Sequence, residues 1–115
     1  VWSIDVDVHQ GDGTAAILAD EARVKTVSLH NARNFPFRKA QSDLDCALPD
    51  ALDDASYMLA LEETLAKLEA WPRPDLVLYD AGVDVHRADP LARRSFVPRL
   101  PGPSSYFGRE LLLPR

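Results

Sequence analysis

Asp5, Asp7 and His9 fall at alternate positions near the start of the chain, and Asp84 stands far downstream, just past Tyr79-Asp80. Side chains two apart on an extended segment point the same way. One ion can therefore take an oxygen from Asp7 and a nitrogen from His9, and Asp84 from a neighbouring strand end supplies a third ligand. Ionised carboxylates in an apolar setting are costly unless they are paired or bound to a metal, so a cation is the economical reading. Two carboxylates and one imidazole suit Zn²⁺, with Fe²⁺, Co²⁺ or Mn²⁺ as substitutes. Three protein ligands leave a position for water, as in catalytic zinc sites, where the bound water has a pKa of about 7. The chemistry expected is hydrolysis. Phosphatases and nucleases also cluster acidic residues at strand ends, so the spacing alone leaves a phosphoesterase open.

The elements that must position these groups are legible in the hydropathy pattern. Trp2, Ile4, Val6 and Val8 alternate with Ser3, Asp5, Asp7 and His9, which predicts a strand through His9. The glycine-rich turn Gln10–Thr14 leads to a helix over Ala15–Ala22, capped by Asp12 or Thr14. Val24–Leu29 predicts a second strand, His30–Gln41 a loop, and Ser42–Leu48 a short third strand containing Cys46, read as a small buried hydrophobe. A helix is expected from Asp53 or Asp54 to Trp71, with Tyr57, Leu61, Leu65 and Leu68 as its apolar stripe. Pro72 and Pro74 stop it, and Asp75–Asp80 predicts a buried strand. Alternation of strands and helices points to an α/β fold with a mostly parallel sheet and flanking helices, whose ligands bind beyond the carboxyl ends of the strands. Trp2 and Trp71 are read as core, Asp43, Asp45 and Asp50 as turn and surface residues, and His30 as a loop or packed histidine. Residues 92–115, rich in Pro and Arg, predict an irregular C-terminal tail.

The 115 residues, 46% hydrophobic and 27% charged, are enough for one domain and exclude a fibrous or wholly disordered chain. A net charge of −5 argues against a nucleic-acid partner. No apolar run is long enough to span a membrane, and no targeting segment is visible. The lone Cys46 excludes an internal disulfide and fits a reducing compartment. The expected location is the cytoplasm, or the nucleus in a eukaryote.

The longer string Asp5-Val6-Asp7-Val8-His9-Gln10-Gly11-Asp12-Gly13-Thr14 resembles the signature of the histone deacetylase and acetylpolyamine amidohydrolase family. Ser28-Leu29-His30, Asn34-Phe35-Pro36, Ser42-Asp43-Leu44-Asp45 and Leu48-Pro49-Asp50 follow in the family's order, and Tyr79-Asp80-Ala81-Gly82-Val83-Asp84 resembles its second metal motif. The pattern is most similar to class IV and related bacterial members and covers residues 1 to about 91. The resemblance implies an arginase/deacetylase-like fold, here incomplete. It implies Asp7, His9 and Asp84 as zinc ligands, and Asp5 and Asp12 as carboxylates that each orient one histidine of a catalytic His-His pair. Ser28 and Leu29, with the backbone of Asp5, Asp7 and His9, would hold a structural K⁺. Gln10 stands where many relatives carry a second histidine, and Phe35-Pro36-Phe37 resembles a substrate-channel or cation-site loop, an ordinary hydrophobic latch being the alternative. The substrate implied is acetyl-lysine, on a histone or other protein, or an acylated polyamine. The His-His pair and the Gly-Gly-x-Tyr that carries the oxyanion tyrosine are absent from this sequence. The expectation is a central fragment, inactive alone, of a zinc-dependent deacetylase, or alternatively a truncated remnant that still holds metal.

Overall fold

A computed structural model describes residues 1–86 and residue 89; the tail expected to be irregular lies outside the described residues. Six elements follow in the order β1 (Trp2–Asp5), α1 (Asp12–Leu18), β2 (Lys25–Asn31), β3 (Leu44–Leu48), α2 (Asp54–Leu68) and β4 (Val77–Asp80). The strands form one parallel sheet in the order β3-β2-β1-β4, so β1 is interior, as the expected α/β alternation requires. No helix among the described residues is long and apolar enough to cross a membrane.

The register gives the sheet two unlike faces. Ile4 pairs with Val27 and Tyr79, and Leu29 pairs with Cys46. This apolar face packs against α2 in a core of Ile4, Val6, Val8, Val27, Leu29, Leu48, Tyr57, Leu68 and Val85. Each such side chain removed from water contributes roughly 1.5–3 kcal/mol. Leu61 and Leu65 complete the stripe as half-buried residues. The opposite face carries Ser3, Asp5, Thr26 and Ser28, paired Ser3 to Thr26 and Asp5 to Ser28.

Boundaries differ from the sequence reading for identifiable reasons. β1 stops at Asp5 rather than His9, because aspartate side chains capture the amides that a ladder would use. Asp5 Oδ1 accepts the Asp7 N–H at 2.9 Å and Asp7 Oδ1 accepts the His9 N–H at 2.7 Å, two consecutive Asx turns. β2 continues through His30 and Asn31, expected in a loop, because Asn31 N donates to Val8 O. α1 begins at Asp12 with Gly11 as its N-cap and no side-chain cap, and it ends at Leu18. α2 starts as expected, with Asp53 accepting from Ser56 N, but ends at Leu68. β4 is shorter than expected and exposed, with Leu78 at 53% exposure; with β3 it is one of the two edge strands of the sheet among the described residues. Cys46 is half-buried. Trp2 and Trp71 are also half-buried and meet edge-on at 6.0 Å at the rim of the core.

Asp43 and Asp45 are exposed, as the sequence reading expects, and Asp50 is half-buried, but all three also accept hydrogen bonds. Asp43 accepts from Lys25 Nζ at 2.6 Å and from both the N–H and the hydroxyl of Thr26, clamping the chain entering β3 onto β2. Asp50 accepts from Asn31 Nδ2. Asp45 belongs to a network around Gln10 described below.

Candidate metal centre

Past β1, three successive amides are each held by a carboxylate: Asp7 N by Asp5, Val8 N by Asp84 at 2.9 Å, and His9 N by Asp7. The Val8–Asp84 bond spans the two sequence motifs and fixes one oxygen of Asp84. The other, Oδ2, lies 2.9 Å from His9 Nδ1, which is also 2.8 Å from Asp7 Oδ1. Donor atoms of Asp7, His9 and Asp84 all lie within 4.8 Å of one another. The structure thus brings together the three residues expected to share an ion, but through tandem turns rather than along one strand face.

The donor set fits a divalent ion. One imidazole nitrogen faces two carboxylates, and a neutral ring offers only one hydrogen or one lone pair there. A proton satisfies one partner and leaves two negative groups crowded; a dication satisfies all three. Burial raises the Asp84 pKa, and the Asp7 charge adds to the rise, against the Val8 N–H that it accepts. Asp5 behaves similarly: burial pushes its carboxyl up to about 6, against the Asp7 N–H, with Asp80, Asp7 and Asp84 adding repulsion.

Two glycines permit the close packing. A Cβ on Gly82 would stand 2.6 Å from Asp7 Cα and 2.8 Å from Asp7 Oδ2, so only glycine lets the segment after β4 pass against Asp7. A Cβ on Gly11 would collide with Asp5 Oδ2. Neither role was apparent from the sequence, where both glycines are simply members of the motif strings.

The remaining candidates lie around this centre. Asp5 faces Ser28 across the β1–β2 register. Ser28 Oγ lies 3.0 Å from His30 Nδ1 and accepts the Gly11 N–H at 3.4 Å. Leu29 is buried on the core face at 1% exposure. Asp12 stands in the first turn of α1, its N–H donating to Gln10 O, outside the three-residue cluster. His30 is sealed inside β2 at 1% exposure, and burial lowers its pKa. Phe35 and Phe37 project from the loop after β2 at 62% and 92% exposure, so they are not a hydrophobic latch.

The parallel α/β sheet has the fold of the deacetylase-like hydrolases, as solved structures of that class show. A crystal structure of an HDAC homolog complexed with SAHA superposes with a TM-score of 0.75 at 28% identity, covering 84% of this chain and 29% of that one. An acetylpolyamine aminohydrolase from Burkholderia pseudomallei shares the fold at a TM-score of 0.67, with 23% identity over 84% of this chain and 31% of its own.

The histone deacetylase domain profile matches residues 1–99, and the chain belongs to the histone deacetylase family. That match runs past residue 91, where the sequence resemblance had been bounded. An uncharacterized protein of Picosynechococcus sp. is 51% identical over 90 residues, 78% of this chain and 30% of the relative. Histone deacetylase 2 of Arabidopsis thaliana is 33% identical over 94 residues, 79% of this chain and 24% of the relative. The chain spans about a quarter to a third of the length of these relatives.

Proposed function

We propose that this chain is the metal-holding segment of a zinc-dependent deacetylase that hydrolyses the amide of acetyl-lysine or of a related acylated amine. The observation that carries the reading is the convergence of Asp7, His9 and Asp84 donor atoms within 4.8 Å. When bound there, Zn²⁺, or Fe²⁺ in its place, would polarise the amide carbonyl and acidify water.

The chain's own residues prepare that site. Asp7, His9 and Asp84 are its ligands, with the Val8 N–H orienting Asp84. Asp5 holds the Asp7 N–H and so fixes the turn that presents Asp7. The backbone carbonyls of Asp5, Asp7 and His9, with Ser28 (opposite Asp5 in register) and Leu29, are the proposed K⁺ ligands. Asp5 and Asp12 are the proposed orienting carboxylates for a histidine pair that this sequence does not contain. The substrates named for relatives, with an acetylpolyamine among them, suit an acylated amine here. Cytoplasmic or nuclear residence is the accompanying proposal, in keeping with the single thiol Cys46.

A second reading is a remnant that holds metal without turnover. It is favoured by His30, whose Nδ1 lies 3.0 Å from Ser28 Oγ, being sealed inside β2 away from solvent. Loss of a general base typically costs about 10²–10⁴ in rate. One experiment tests the ligand set and the class of reaction. The chain is titrated with Zn²⁺ and offered a fluorogenic acetyl-lysine peptide and a phosphate ester. One equivalent of zinc, lost in Asp84→Ala, with no turnover by this segment, is expected. Acetyl-lysine turnover abolished by Asp84→Ala would defeat the remnant; equal zinc content in Asp7→Ala, His9→Ala and Asp84→Ala would refute the ligand set. Phosphate-ester hydrolysis would favour a phosphoesterase.

A further inference from the structure

Gln10 follows His9 directly, is only 4% exposed, and uses its amide almost completely. Its Nε2 donates to Ala40 O at 2.9 Å and to Asp45 Oδ1 at 2.9 Å, while its Oε1 accepts the Ala40 N–H at 2.8 Å. The side chain thus pairs with both main-chain groups of Ala40 as a neighbouring strand would. Asp45, on β3, is shared in turn with the Ser42 N–H at 2.9 Å. The loop so anchored is braced internally: Lys39 Nζ donates to Asn34 O and to Pro36 O, each at 2.6 Å, and Asn34 Oδ1 accepts the Phe35 N–H. A braced loop held among the described residues through this one side-chain anchor moves as a unit with whatever holds that anchor.

We propose that Gln10 is a positioning residue that locks the 34–40 loop, with its exposed Phe35 and Phe37, to the backbone of the His9 ligand. The proposal rests on the metal-site reading given above. It makes the loop a fixed rim beside the centre rather than a free surface loop. Glutamine suits this task where histidine does not. A neutral imidazole has one donor and one acceptor on well-separated ring atoms and cannot serve the N–H and C=O of one residue together with Asp45.

The test is NMR on the full chain, comparing the parent with Gln10→Met, Gln10→His and Gln10→Glu. In Gln10→Met and Gln10→His the Ala40 amide is expected to exchange about tenfold faster, with Val27 and Leu29 amides within about twofold of the parent. Gln10→Glu retains the acceptor for the Ala40 N–H and is expected to restore part of the protection. Parental Ala40 exchange in either folded substitution would overturn the lock. The second readout compares Zn²⁺-loaded with Co²⁺-loaded chain, so that the paramagnetic ion reports the loop's place relative to the centre. Phe37 ring signals shifted in the parent and averaged toward their Zn²⁺ positions in Gln10→Met, with Val8 still shifted, support positioning. Phe37 shifts equal in both proteins overturn it. If neither ion binds the parent, the metal-site reading fails, and Ala40 exchange still decides the role of Gln10.

Discussion

At the residue scale, the centre depends on carboxylates that do two tasks at once. Asp7 caps the His9 amide while facing the His9 ring, and Asp84 caps Val8 while presenting its second oxygen. Removing a ligand should therefore cost more metal affinity than removing a supporting group, for which about 10–100-fold is typical. Competition with a chromophoric chelator should show Asp7→Ala and His9→Ala losing zinc affinity by more than about 100-fold, with Asp43→Ala unchanged. Gly82→Ala makes a sharper test, because it alters no donor. The added methyl forces Gly82 and Asp7 apart, and a loss of about tenfold or more in zinc affinity is expected. Parental affinity in Gly82→Ala would mean that the contact relaxes without moving Asp7.

At the element scale, α2 and the Asp43 clamp hold the sheet that carries the site. Leu68 is 2% exposed in the core, so Leu68→Ala should destabilise the chain by about 2–5 kcal/mol in urea unfolding. The clamp gives a pH signature. Burial alone would raise the Asp43 pKa, but the Lys25 ammonium and the Thr26 donors outweigh it and hold the carboxyl below its ordinary 3.8. A carboxylate lowered on folding stabilises the folded state above its unfolded value. That contribution begins to fade as the pH falls through about 3.8 and is lost below the lowered folded value. Urea midpoints measured down through this range should fall further for the parent than for Asp43→Asn. Parallel curves would remove the clamp from the account of acid stability.

At the scale of the whole molecule, the sheet has one well-covered face and one bare apolar edge. Leu76, Val77 and Leu78 are exposed along β4, whose outer side pairs with no strand among the described residues. An exposed apolar edge strand templates association. The chain should therefore sediment as concentration-dependent oligomers, and Leu78→Lys should shift it toward monomer without changing zinc stoichiometry. A monomer at all concentrations in the parent would show that the edge is covered. The same exposure implies modest stability, to be seen as a low, broad melt.

Local pattern alone determined the strand–helix alternation, the start of α2 at Asp53 or Asp54, the stripe on α2 and the residue types of the candidate metal site, because period and ligand chemistry are written in neighbouring side chains. The motif strings carried the family. Tertiary structure decided where strands stop, which is why β1 yields to Asx turns at Asp5 and β2 runs on to Asn31: the competition for each amide depends on partners distant in sequence. It alone brought Asp84 to Val8, across 76 positions, and gave Gly82, Asp43 and Gln10 their tasks. Those tasks are set by what stands across the gap, which nothing in the neighbouring sequence records.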